Sequence, residues 1–215
     1  MKHITFYLDF ISPYAYLAFE KLPEALMGLS YTVSYKPVLL GALLQHHGQL
    51  GPAEIAAKRA WTYRHVEWLG QHEQVELQMP AVHPFNPLPL LRLSLACAHL
   101  KAGEPNRHVC ETLFHHVWRS GADVLDAVRL QALDTALPPH ADPQSDAVKA
   151  QLKLQTDAAI AAGVFGVPAF GVDGKLFWGF DALPMLRDYL MGDAWFDGPS
   201  WAKPAQIPTG LLRKR

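Results

Sequence analysis

Ser12 stands where an apolar run gives way to a helix-forming stretch, in DFISPYAYLAFEKL over residues 9–22. Serine followed by proline at such a junction is a helix N-cap with proline at the first helical position. The serine oxygen then lies among unpaired N–H groups, a setting that favours negative charge by about 0.3–2 kcal/mol. Dithiol exchange at a strand-to-helix turn needs two thiols, one to resolve the mixed disulfide of the other. Here the four positions are Ser12, Pro13, Tyr14 and Ala15, so that chemistry is excluded at this turn. A cap without chemistry is the plain alternative for Ser12.

The second chemical element is Val167-Pro168, inside GVFGVPAFGVDGKLFWGFD over residues 163–181. Proline at the start of a strand is tolerated there because it lacks only an N–H, so punctuation alone would explain it. The order of Gly163, Val167-Pro168, strand, turn, strand and Asp181 argues for more. With a cis bond at Pro168 and Ser12 within side-chain reach, the Val167 N–H and C=O would be free to pair, strand-like, with a peptide ligand.

These two elements need a sheet to hold them. Ile4, Phe6 and Leu8 alternate with Thr5, Tyr7 and Asp9 as a buried strand from His3. The helix after Ser12 continues to about Met27, with Gly28 to end it, and Tyr31, Val33 and Tyr35 form a second strand closing at Pro37. This β-α-β unit has a right-handed crossover by the general rule. KRAWTYRHVEWLGQ, LPLLRLSLACAHLKAG, RHVCETLFHHVWRSG and VLDAVRLQALDTA are four helical patterns without a strand among them. AVKAQLKLQTDAAIAA adds a helix ended by Gly163. Strands PAFGV and LFW follow around a turn at Val172-Asp173-Gly174-Lys175, then a last helix capped by Asp181. The expectation is one split domain over residues 1–37 and 146–192, a helical insertion over 38–145, and an extended Pro-rich tail over 193–215.

Composition excludes whole classes of partner. A chain of 215 residues, 50% hydrophobic and 18% charged with net charge −1, has no basic stripe for nucleic acid. No apolar run approaches the ~20 residues that span a bilayer. The start lacks a basic segment followed by an apolar one, so no secretory signal is expected. Cys97 and Cys110 make no disulfide framework, and a cytoplasmic chain with reduced thiols is expected. Among the eleven histidines, Glu111 and His115 share a helix face that His108 could join, a metal-capable set that more often marks a surface; no metal is expected. Ser12 has no G-x-S-x-G surround for a hydrolase, and Val172–Lys175 lacks phosphate-loop spacing.

Together, DFISPYAYLA, KPVLLGALLQ, AEIAAKRAW, HPFNPLPLLRL, LFHHVWRSGADV and GVFGVPAF with FWGFDAL resemble the 2-hydroxychromene-2-carboxylate isomerase family, near kappa-class glutathione transferases and the DsbA-like group. The resemblance implies an α/β, thioredoxin-like fold with a large all-helical insertion, a homodimer, glutathione as cofactor and a small aromatic carboxylate as substrate. It implies that Ser12 hydrogen-bonds the glutathione sulfur and Val167, beside Pro168, pairs with its cysteinyl backbone. Asp181, preceded by Phe180, would receive the γ-glutamyl amino group, and Lys58 the glycyl carboxylate. Tyr14, Asn86 and Arg92 would form the substrate side, with the Arg92 fork suited to a carboxylate. The chain departs from the family pattern at Gly48-Gln49, at Ala56-Ala57 before Lys58, at Phe180 and at Ala182. The implied reaction is glutathione-dependent cis–trans isomerisation. Conjugation of another electrophile and a redox-inactive binding module remain the alternatives.

Overall fold

A computed structural model describes residues 1–98 and 103–210. Its elements are β1 (Lys2–Leu8), α1 (Pro13–Ala25), β2 (Tyr31–Pro37), α2 (Leu40–His46), α3 (Ala56–His72), α4 (Leu88–Ala96), α5 (Arg107–Trp118), α6 (Ala127–Ala136), α7 (Asp146–Ala161), β3 (Ala169–Val172), β4 (Lys175–Trp178), α8 (Leu183–Leu190) and α9 (Pro199–Ala202). The four strands lie in the order β2-β1-β3-β4. β1 runs parallel to β2 from Lys2↔Tyr31 to Leu8↔Pro37, and β3 is antiparallel to both β1 and β4. This is the thioredoxin-like α/β arrangement expected from the sequence.

Local chemistry accounts for the elements around Ser12. The Ser12 Oγ accepts a hydrogen bond from Ala15 N at 3.2 Å, and Pro13 occupies the first turn, as an N-cap requires. Gly28 has φ +84°, the left-handed geometry that lets the chain leave α1 at low steric cost. α1 buries Tyr16, Phe19 and Leu22 on one side. Phe10 and Phe19 meet Phe114 of α5 at 5.0 and 5.1 Å between ring centroids, and Tyr16 stacks on Trp118. Helices α3 to α6 therefore share one continuous core with the sheet and α1, while Leu43 of α2 joins a second cluster with Ala159, Val164, Val167 and Ala169. Phe6 and Phe170, directly opposite across β1 and β3, add a 4.6 Å ring pair to the same core.

Three expectations change. Asp181 does not cap α8: it lies in a 3-10 turn, Phe180–Ala182, and α8 begins at Leu183 with Ala182 at the cap position and no side-chain cap bond. Pro184 in the first turn lowers the need for one. The segment after residue 192 is not extended. It folds as a 3-10 turn, Ala194–Asp197, then α9 and a further turn, Pro204–Gln206. Phe196 and Trp201 pack on Phe177 of β4 at 5.9 and 5.8 Å. α2 is also new, seven residues that make less than two turns of periodic signal. Residues 99–102 of the LPLLRLSLACAHLKAG helical pattern and 211–215 of the tail lie outside the described residues.

Candidate active site

The loop from Asp9 to Ser12 is held at each backbone group it presents. Asp9 is fully buried, and its carboxylate accepts from Ile11 N at 3.2 Å and from Leu40 N at 2.9 Å. It thereby ties the loop to the start of α2. Burial pushes its carboxyl up to about 7, against the opposing pull of these backbone bonds. Trp118 Nε1 donates to Phe10 O at 2.9 Å, and His83 Nε2 meets Ile11 O at 2.8 Å. With Nε2–H donating, the ring is neutral and its Nδ1 is an acceptor; Tyr63 Oη lies 2.7 Å from it and 2.8 Å from His83 O, its single proton facing both acceptors. Burial lowers the His83 pKa, which favours that neutral ring. Ser12 N closes the loop on Asp9 O at 3.0 Å. Groups from α1, α2, α3 and α5 thus converge to fix one serine at a helix start.

Ser12 Oγ, on a residue only 6% exposed, lies 3.5 Å from Val167 O as donor. The Val167-Pro168 bond is cis, as expected, and so is His83-Pro84, which was not expected. Pro168 O accepts from Gly179 N at 2.9 Å, joining the proline loop to the end of β4. Among the described residues, no acceptor meets the Val167 N–H, although Val167 is largely buried. A backbone donor left open beside the cis proline fits a ligand with a peptide-like carbonyl.

Beside it runs a groove of about 970 Å³ between α1, α3 and the turn after β4. Tyr14, Val167, Pro168, Phe180 and Asp181, all expected in the site, line it, together with His65. Gly179, at φ +104°, folds the chain so that the Asp181 carboxylate turns back over it; a Cβ there would run into Asp181 Oδ1. Burial, and then the Asp181 charge, raise the Tyr14 pKa, so this hydroxyl keeps its proton at neutral pH. Tyr14 Oη lies 2.9 Å from His65 Nδ1. The groove extends past Lys21 and Arg187, but both are engaged: Lys21 with Glu24 and Glu73, Arg187 with the Ala25 and Met27 carbonyls.

Ser12, Lys58, Asn86 and Arg92 do not line this groove, Ser12 lying behind Val167 at its edge. Lys58 is exposed in the first turn of α3. Asn86 Oδ1 accepts from Leu88 N at 3.1 Å at the start of α4. Arg92 Nη1 donates to Gln144 Oε1 at 3.1 Å, while its Nε is buried without a partner among the described residues. Burial raises the Cys97 thiol to about 11 and the Cys110 thiol further still, so neither is a nucleophile at neutral pH. Glu111 and His115 are joined by Glu20 rather than His108, with ligand atoms within 4.8 Å of one another. Arg119 and Arg107 pair with the two carboxylates at 3.1 and 3.8 Å, which makes the group an ion-pair network.

Asp9, His65 and His83 escaped the sequence reading. Asp9 is a lone charge at the end of an apolar strand, a pattern that signals a buried, bonded carboxyl. His83 directly precedes a proline, and His65 recurs with Trp61 and Trp68 at helical spacing.

The fold and this turn define a thioredoxin-like protein whose redox position carries serine. A family model of the DSBA-like thioredoxin domain matches residues 3–191. The chain is 30% identical over 200 residues to 2-hydroxychromene-2-carboxylate isomerase of Sphingobium xenophagum, covering 88% of this chain and 98% of that one. It is 26% identical over 212 residues to glutathione S-transferase kappa 1 of Rattus norvegicus, covering 91% and 93%. A solved 2-hydroxychromene-2-carboxylate isomerase superposes with a TM-score of 0.72 at 23% identity, over 96% of this chain and all of that one, which supports the fold. The chain belongs to the DSBA-like thioredoxin family, in the branch of the 2-hydroxychromene-2-carboxylate isomerases and kappa-class glutathione transferases. Its relatives are named as enzymes, and they support an isomerase- or glutathione-transferase-like activity.

Proposed function

We propose that the protein is a glutathione-dependent isomerase interconverting 2-hydroxychromene-2-carboxylate and trans-o-hydroxybenzylidenepyruvate-type compounds. The observation that carries this reading is the placement of Ser12 Oγ at the start of α1, 3.5 Å from Val167 O and beside an open Val167 N–H. The relatives' names supply the reaction class.

The residues present fit a peptide thiol. The Val167 N–H and C=O can pair with its backbone in extended form. The Asp181 carboxylate, on the groove wall with no resolved cationic partner among the described residues, suits its ammonium group. Lys58 suits a terminal carboxylate. Glutathione, when bound, supplies a sulfur nucleophile for a conjugated carbon. Ser12 contributes a hydroxyl donor for negative charge, in the field of the α1 N-terminus. Its 3.5 Å bond to Val167 O is long for O–H···O, so little is lost when the hydroxyl turns to a ligand. Tyr14, on the groove wall, is assigned to the substrate side, and the family resemblance assigns Asn86 and Arg92 there too, with Arg92 for a substrate carboxylate.

The test is product analysis with glutathione counted. An isomerase converts the hydroxychromene carboxylate to the trans ketone with glutathione conserved. Stoichiometric loss of glutathione into a stable thioether would identify a transferase instead. Arg92→Ala should lower turnover more than glutathione affinity; an equal loss of both would remove Arg92 from the substrate side.

A further inference from the structure

Tyr14 stands on the substrate side above with no chemical step assigned to it, and its partner His65 has no role there at all. Tyr14 lies two residues after Ser12, in the first turn of α1, and the Tyr14 and His65 side chains line the groove shared with Val167, Pro168 and Asp181. Their polar atoms are 2.9 Å apart across 51 residues of sequence. With the His65 proton on Nε2, Tyr14 Oη is the donor and His65 Nδ1 the acceptor. The lone pairs of the Tyr14 oxygen are then left to accept from a molecule in the groove.

His65 is held in this orientation from both sides. Its ring lies nearly parallel to Trp61 and Trp68, with centroids 6.1 and 6.2 Å away and interplanar angles of 12° and 11°. Both tryptophans are more than half exposed, so they do not serve a core, yet they restrain the imidazole in one plane. Among the described residues no hydrogen-bond partner meets His65 Nε2, which leaves that nitrogen to exchange protons with solvent. A groove-facing hydroxyl, an oriented imidazole behind it and a free second ring nitrogen make up a proton relay.

We propose that Tyr14 and His65 open the cyclic hemiketal of the substrate, Tyr14 as the catalytic residue and His65 as the positioning residue that accepts through it. The proposal rests on the isomerase reading for its substrate class, a fused aromatic hemiketal. The hemiketal hydroxyl passes its proton to the Tyr14 oxygen while Tyr14 passes its own to His65 Nδ1. The electron pair of the broken O–H bond becomes the second bond of the new C2 carbonyl. The C2–O ring bond breaks with its pair on the ring oxygen, which takes a proton from water as a phenol. His65 returns the extra proton to water. No thiol takes part in this step.

The test therefore omits glutathione. Saturation-transfer NMR measures exchange between 2-hydroxychromene-2-carboxylate and its open cis keto form, with and without protein. Wild type should raise the exchange rate in proportion to its concentration. Tyr14→Phe should remove about 99% of that increment, and His65→Gln, which keeps the size and polarity of the side chain, about 90%. Circular dichroism and the glutathione thiolate absorbance of both variants report whether fold and cofactor site are intact. Exchange at the buffer rate with wild type, or an undiminished rate in Tyr14→Phe, overturns the relay. Failure of the isomerase reading looks different: exchange accelerated by wild type, but no trans product when glutathione is added.

Discussion

At the scale of single residues, one hydroxyl carries the account. Ser12 caps α1 and faces Val167 with the same oxygen, so Ser12→Ala acts twice. Loss of the cap should cost about 1 kcal/mol, a fall of roughly 2–4 °C in Tm. The rise in ultraviolet thiolate absorbance on adding glutathione at pH 7 should vanish, while the circular dichroism of the fold remains. A variant that retained the absorbance rise would reduce Ser12 to a cap. Asp9, beneath it, gives a second residue-scale prediction. Its folded carboxyl titrates at about 7 against an ordinary value of 3.8. Between those values the native state holds more protons than the unfolded one, so stability falls as pH rises from about 4 to about 7. The full loss, above that window, is roughly 4 kcal/mol. Asp9→Asn cannot ionise, so its Tm should drop less than that of wild type between pH 5 and pH 8, whatever its absolute value. Parallel Tm–pH curves would show that Asp9 does not carry this dependence.

At the scale of elements, the site depends on pieces distant in sequence that meet at one loop. α1 supplies the cap, α5 the Trp118 bond to Phe10 O, and the segment before α4 the His83 bond to Ile11 O. What was legible in the sequence was local: Ser12-Pro13 as cap and first turn, Gly28 as terminator, the Val172–Lys175 hairpin, and the alternation of β1. What was not legible needed a partner far along the chain. Asp9 is explained by Leu40, His83 by Ile11 and His65 by Tyr14, and no periodicity announces such pairs. An acid before a helix usually caps it, so Asp181 reads as a cap; the chain instead makes the 3-10 turn Phe180–Ala182 there, and α8 begins after it at Leu183. The segment after residue 192 misled in the other direction. Its prolines suggest an extended chain, but Phe196 and Trp201 are too apolar to leave in water. Phe196 is 4% exposed and stacks among Phe177, Tyr189 and Trp201. Phe196→Ala should cost about 3 kcal/mol, a fall of roughly 6–12 °C in Tm. An unchanged Tm would mean the segment does not dock.

At the scale of the whole molecule, a four-stranded sheet and a set of helices share one core, and the groove opens along α1 where α3 and the turn after β4 approach it. The helices do more than cover the sheet: they hold the Asp9–Ser12 loop and bring His65 and Arg92 to the molecule. Among the described residues no helix is long and apolar enough to cross a membrane. The thioredoxin-like frame sets a cis-proline loop against Ser12, and on the proposed reading serine in place of a thiol turns the site from disulfide exchange to chemistry on a bound sulfur. The most direct measurement starts two reactions from opposite ends, one with 2-hydroxychromene-2-carboxylate and one with trans-o-hydroxybenzylidenepyruvate, each with protein and glutathione at about one tenth of the substrate. The account predicts that both reach the same ratio of the two compounds, with all the glutathione recovered as free thiol. Conversion that stops when one glutathione per product has been consumed, or ratios that stay apart from the two directions, would contradict it.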